Sequence, residues 1–251
     1  MRAYELIKET FCRKIYILIV HLSWLILYGA FWWLFLPRAS ELSEFGRFIF
    51  IWGGCFLALA LSIDISSGRI CVLVTKPFWP GKLYIYRLLG LSLQAAVHFI
   101  LAWCVIFILH TLMRKGSMDN LGLWLFASWL LFNTCAALST SLSIVVGRAY
   151  NALLLLVVIV TGFFVVGLLM VSLKQQAETG VLFSFISFAC PPFKLLYKFA
   201  CGEYGKYSLT VGRFSLTKSV ACVVHSLILT VVYSVVGIVL LSRRQFSCER
   251  D

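Results

Sequence analysis

Acidic side chains are what this sequence has least of. Asp and Glu number 10 against 22 Lys and Arg, a formal net charge of +12. None of them falls inside a long apolar run except Asp64, at the edge of one. That shortage excludes the paired aspartates of an intramembrane protease and the carboxylates of metal-dependent hydrolysis. It also argues against an ion-driven transporter, which wants buried acidic coupling residues. A phosphate-binding loop of the form GxxxxGK[ST] is missing too, since Gly81-Lys82 is followed by leucine and lacks the upstream glycine. The nine cysteines show no CxxC or other metal-ligand spacing. No internal repeat is visible, and no segment outside the apolar runs exceeds 174–218, so an ATPase, kinase or nuclease domain has no place to reside.

What the sequence does have is apolar surface. It is 61% hydrophobic and 13% charged, where soluble domains carry about 45–50% apolar and about 25% charged residues. These values describe an all-α integral membrane protein. In a soluble chain the positive excess would point to nucleic acid. In a membrane chain it marks cytoplasmic flanks and contact with anionic lipid, and nucleic acid is not an expected partner.

Crossing the hydrocarbon core takes about 20 apolar residues. Six runs qualify or nearly so: 15–36, 48–63, 88–112, 121–146, 152–173 and 219–241. The second is the shortest. The first is too long for a signal-peptide core, has no Ala-x-Ala cleavage site after it, and is expected to be retained. With the N-terminus inside, the inner segments hold Arg2, Lys8, Arg13, Lys14, Arg69, Lys76, Lys82, Arg87, Arg148, Arg243, Arg244 and Arg250. The two short outer loops hold only Arg38, Arg47, Arg114 and Lys115. Positive charge concentrates on the cytoplasmic side, so six spans with both termini inside are expected.

Residues 1–14 are amphipathic. Tyr4, Ile7 and Phe11 share one face, with Glu5, Lys8, Glu9 and Arg13 on the other, the pattern of a helix lying in the headgroup plane. Trp32, Trp33 and Phe35 fit an interfacial aromatic belt. The fourth run is the most polar, with Ser128, Asn133, Thr134, Ser139, Thr140, Ser141 and Ser143. Ser139, Ser143 and Gly147 put small residues at every fourth position, which favours close helix packing. A polar lining for a transport path is the other reading. The fifth run has almost no polar atoms, so a path along it would favour apolar or amphipathic cargo.

The connection 174–218 contains VLFSFISFA, then CPPFKLLYKFA, in which Phe193, Leu196, Tyr197 and Ala200 share a helical face and Lys194 and Lys198 lie on another. Two short helices at the outer surface are expected, separated by the break at Pro191-Pro192, followed by the turn-rich GEYGKYSLTVGRFSLTK. Cys190 and Cys201 share this loop, and two free thiols are expected there rather than a disulfide.

On the inner side the largest loop, 64–87, contains SSGRICVLVTKPFWPGKL. Ser66 or Ser67 can cap a helix that stops near Thr75, because Pro77 disfavours helical geometry at Lys76. Ile70, Leu73 and Val74 form its apolar face, with Arg69 and Lys76 close by. A short apolar-faced helix of this kind suits docking in another protein's groove, or rest on the lipid surface.

This layout resembles the type-2 ABC (ATP-binding cassette) exporter permeases. The matching residues are Gly68, Ile70, Leu73, Val74, Thr75, Lys76 and Pro77, then Arg87, Leu88, Leu89 and Gly90, with Gly237 and Arg243-Arg244 near the end. Asp64-Ile65-Ser66-Ser67 stands where the family often has glutamates, and Gly81-Lys82 comes early. The resemblance implies an amphipathic elbow helix over 1–14, a coupling loop over 64–87 and an outer re-entrant pair within 174–218. It further implies a multi-pass permease subunit of a bacterial inner membrane, without a cofactor of its own. ATP and Mg would be bound by a partner ATPase subunit, two copies per complex. This chain would pair with itself or with a related permease. The ATPase would be met by Arg69, Ile70, Leu73, Lys76, Pro77 and Phe78, and Asn133, Thr134, Thr140, Phe163 and Phe164 are the candidate path residues.

A different class is an intramembrane haem or redox protein. His21, His98, His110 and His225 all fall within predicted spans, and two histidines can hold a haem axially. His21 and His225 lie in the inner half or middle of their runs and His110 near the outside, so the sequence shows no obvious pair at one depth.

Overall fold

The structure is a computed structural model that describes residues 3–12, 15–35, 49–62, 79–113, 120–146, 153–154, 156–158, 189–202, 208–211 and 214–243. The predicted coupling helix, with Arg69, Ile70, Leu73, Lys76, Pro77 and Phe78, lies outside them, as do Phe163 and Phe164. The chain is mainly helical. Helix α1 (Ala3–Cys12) is followed by α2 (Ile15–Phe35). A π-helical segment, Ile49–Leu57, continues directly into α3 (Ala58–Ser62). Then come α4 (Pro80–Met113), α5 (Leu121–Val145), the short α6 (Phe193–Ala200) and α7 (Lys218–Arg243).

Among the described residues, three helical stretches are long and apolar enough to cross a membrane: Gly81–Leu109, Leu121–Val145 and Val220–Arg243. Ile15–Phe31 is a shorter apolar helix. The segment GKLYIYR, read from sequence as a lead into the third span, is the first part of α4 itself. Proline at the start of α4 needs no backbone donor there and presets a helical φ. At about 1.5 Å per residue, the 34 residues of α4 run about 50 Å, well beyond the roughly 30 Å of hydrocarbon. One end of this helix therefore stands outside the lipid.

The exception to the helical expectation lies before α7. Ser208–Val211 (β1) pairs antiparallel with Phe214–Thr217 (β2), Val211 opposite Phe214. Alternating Leu209 and Val211 against Phe214 and Leu216, with Gly212-Arg213 between the strands, is a hairpin signature. The turn-rich reading of this stretch missed it.

Helix α5 is the centre of the bundle, packed by α7, the π-helical segment, α4, α6 and α3. Its polar residues do not spoil that role, because each hydroxyl has a place. Ser128 Oγ donates to the Trp124 carbonyl at 2.6 Å and Ser143 Oγ to the Thr140 carbonyl at 2.8 Å, both within the helix. Small side chains thereby satisfy themselves locally and leave the helix surface free for close contact.

Contacts along α5 fix the direction of its neighbours. Tyr84 reaches Ala137 and Ser92 meets Trp129, so α4 runs antiparallel to α5. Thr134 meets Ser226 and Thr230, and Ile144 clusters with Leu241, so α7 runs parallel to α5. Phe50 packs on Trp124 and Gly54 faces Leu131, so the π-helical segment is also parallel to α5. Parallel neighbours have their starts at the same end. The chain between Val145 and Lys218 therefore joins opposite ends of the bundle.

Candidate functional site

Two ends of the bundle differ in construction. At the end holding the start of α4, Tyr84 is fully buried and donates its hydroxyl to the Ala137 carbonyl at 3.1 Å. Its ring packs with Ile144 and Leu241. Gly237 is what lets the ring in: a Cβ there would sit 2.5 Å from it. Helix α1 packs on the same half of α4 at Gly90, where a Cβ would meet the Thr10 side chain at 2.8 Å and the Ile7 carbonyl oxygen at 3.1 Å. The amphipathic segment and the start of the third span are thus tied together by absent side chains. Both glycines stood in the family-like stretches of the sequence, but their packing role had no signal there.

The opposite end is aromatic. Phe193, Leu196 and Ala200 of α6 are buried, the apolar face read from the sequence. Tyr197 packs edge-on against both Trp124 and Phe50, with ring centroids 5.3 and 6.0 Å apart. Asn120, in the left-handed region at φ 65°, donates from its side chain to the Cys201 carbonyl at 3.4 Å. Gly202 beside it has φ 73°, a conformation that favours glycine. The Tyr233 hydroxyl bonds the Ala189 carbonyl and ties this end to α7. Cys190 and Cys201 are both free thiols, and burial raises the Cys190 thiol above its ordinary value.

Of the candidate path residues, three are described, all on α5. Asn133 is half-buried, and its amide donates to the Trp129 carbonyl of its own helix at 2.8 Å. Thr134 is fully buried in the α5–α7 seam, with the Thr230 hydroxyl at 3.1 Å and the Ser226 carbonyl at 3.3 Å. Thr140 is buried as well, and its hydroxyl oxygen has no hydrogen-bond partner among the described residues. The structure brings Thr134 and Thr140 to packed positions and leaves Asn133 nearer the surface.

The histidines separate. His98 on α4 is fully buried, and its Nε2 lies 2.6 Å from Nδ1 of His21 on α2. The ring centroids are 4.6 Å apart. The sequence reading put no two histidines at one depth, because it measured each from the end of its own run. The eight or so residues by which α4 extends past its apolar run were invisible to that count. Two metal–nitrogen bonds of about 2 Å need about 4 Å between the nitrogens, so this closed pair has no gap for a haem iron or another ion. Among the described residues, no group of three or more His, Cys, Asp or Glu is placed to hold a metal.

Scanned against protein-family models the chain finds no match, and no curated protein matches it.

Proposed function

We propose that this chain is the membrane-spanning permease subunit of an ATP-driven exporter, of the kind its sequence resembles. The observation that carries the reading is the parallel course of α5 and α7, with α6 at their starting end and the Tyr84 contact at their finishing end. That course needs one further crossing between them, which the apolar run 152–173 can supply. It also puts α1, the start of α4 and the ends of α5 and α7 on one side, the expected cytoplasmic side, with α6 opposite. Six spans, an elbow helix and inside termini are consistent with every one of these directions.

In this reading the engine is another subunit. A partner ATPase binds ATP and Mg, and its closure pushes the loop 64–87, where Arg69, Ile70, Leu73, Lys76, Pro77 and Phe78 make the contact. The push enters α4 at Pro80. Because the first turns of α4 stand beyond the hydrocarbon and are clamped through Tyr84 to α5 and α7, the helix acts as a rigid lever on the central pair. Two permease chains, alike or related, enclose the path, in a bacterial inner membrane. Asn133, Thr134, Thr140, Phe163 and Phe164 are the residues assigned to it, and the cargo is apolar or amphipathic.

The test is to co-express the chain with the ATP-binding-cassette protein encoded beside it and to purify the complex in nanodiscs. A stable complex with ATPase activity is expected. Leu73→Asp should break it, since a charge forced into an apolar groove costs several kcal/mol. Unchanged co-purification of the Leu73→Asp chain contradicts the docking role, and the absence of any such neighbouring protein contradicts the class.

A further inference from the structure

We propose that His21 and His98 together form a proton-binding site inside the bundle, taking one excess proton per pair. Ionisable side chains within spans are rare and mark proton or ion sites, and this pair is not used by the permease reading. The nitrogens, His98 Nε2 and His21 Nδ1, are 2.6 Å apart, shorter than the usual spacing for neutral N–H donors and in the direction expected of a charge-assisted bond. Only one hydrogen fits in that gap.

The proton count follows from the rings. In the neutral pair with Nε2–H of His98 donating, His98 Nδ1 is a bare acceptor, and no hydrogen-bond partner occupies it among the described residues. A proton added to Nδ1 makes His98 an imidazolium whose other N–H already points at neutral His21. A buried charge is tolerated when it is hydrogen-bonded, and the second ring supplies that bond. A second excess proton would leave two cationic rings with N–H groups facing each other across 2.6 Å, which like-charge repulsion forbids.

The surroundings leave the pair to itself. Helices α2 and α5, the π-helical segment and α3 contain no Asp, Glu, Lys or Arg. On α4 the nearest charged side chain in sequence is Arg87, about three turns away. Helix α1 brings Glu5, Lys8 and Glu9, but packs at Gly90. The remaining titratable groups on the packed elements are Tyr16 and Tyr28 on α2, Tyr84, Tyr86, Cys104 and His110 on α4, Cys55 on the π-helical segment, Cys135 on α5, and Cys222, His225 and Tyr233 on α7. No carboxylate competes for the proton. The outer face of α2 is exposed at Val20, Trp24 and Leu27, so this pair is a polar tie of a peripheral helix to α4, and proton uptake there bears on how α2 is held.

The experiment is a titration of the full chain in nanodiscs from about pH 8 to about pH 5, the range of histidine, with imidazole nitrogens labelled for NMR. The expected result is that the two rings respond together, through a single step that adds one proton, while His110 and His225 titrate separately. The double variant His21→Gln/His98→Gln, which keeps hydrogen-bonding groups that do not titrate, should take up one proton fewer per chain. Equal uptake by the two proteins overturns the proposal. So do two independent ring titrations, or two rings that stay neutral throughout, in the wild-type spectra, which need no variant to fold.

Discussion

Tyr84 occupies the volume that a side chain on Gly237 would need, and its hydroxyl donates across 3.1 Å to the Ala137 carbonyl. One residue in the first turns of α4 therefore fastens α5 and α7 at the same level. Gly237→Val should drive a branched side chain into the ring and destabilise the bundle by about 1–3 kcal/mol, the cost of overpacking. Tyr84→Phe keeps the ring and loses only the hydrogen bond, about 1 kcal/mol. Thermal unfolding in detergent checks both. Equal midpoints for Gly237→Val and wild type would contradict the contact.

Thr134 is a seam residue in this structure before it is anything else. Thr134→Val preserves its shape and removes its hydroxyl from Thr230 and from the Ser226 carbonyl. Interhelical hydrogen bonds in membrane proteins are worth about 0.6 kcal/mol on average and about 1.7 at most. The variant should lose that much stability. If export of a cargo fell far more than stability did, the path role would gain support.

The aromatic end has its own hinge point. Gly202 at φ 73° faces the Asn120 side chain, where a Cβ would lie 2.8 Å away. Gly202→Val combines a left-handed backbone with a clash, and should cost about 1–3 kcal/mol for the backbone alone. Since Asn120 and Tyr197 join α6 to α5, loss of α6 should also change Trp124 fluorescence. An unaltered emission spectrum would show that α6 stays docked.

Cys190 offers a chemical probe of the same end. Burial raises its thiol above the ordinary value, so little reactive thiolate exists near neutral pH. Alkylation of a chain retaining only Cys190 should be slow at about pH 7 and should accelerate as pH climbs past about 8.5, the ordinary thiol range. It should trail a chain retaining only exposed Cys12. Matching rates at neutral pH would contradict the burial.

Much of the helical framework was legible because hydropathy sets span length. The run 121–146 matches Leu121–Val145 and the run 219–241 matches Lys218–Arg243 closely. Pro191-Pro192 correctly marked the start of α6, since proline interrupts the backbone bonding of what precedes it. The hairpin was missed because four-residue strands give little periodic signal. The widened turns at Ile49–Leu57 had none, although Gly53-Gly54 inside them removes the side chains that hold a regular helix. The His21–His98 pairing was hidden for a different reason: it depends on how far α2 and α4 slide past each other, which no single run encodes.

Sidedness of the loop 64–87 decides the central claim most directly, and Cys71 within it is a native reporter. A chain retaining only Cys71 is treated with a membrane-impermeant maleimide in intact cells and in inside-out vesicles. Labelling in the vesicles alone is the predicted result, as a segment pushed from the cytoplasm requires. Labelling of Cys71 in intact cells would contradict the account.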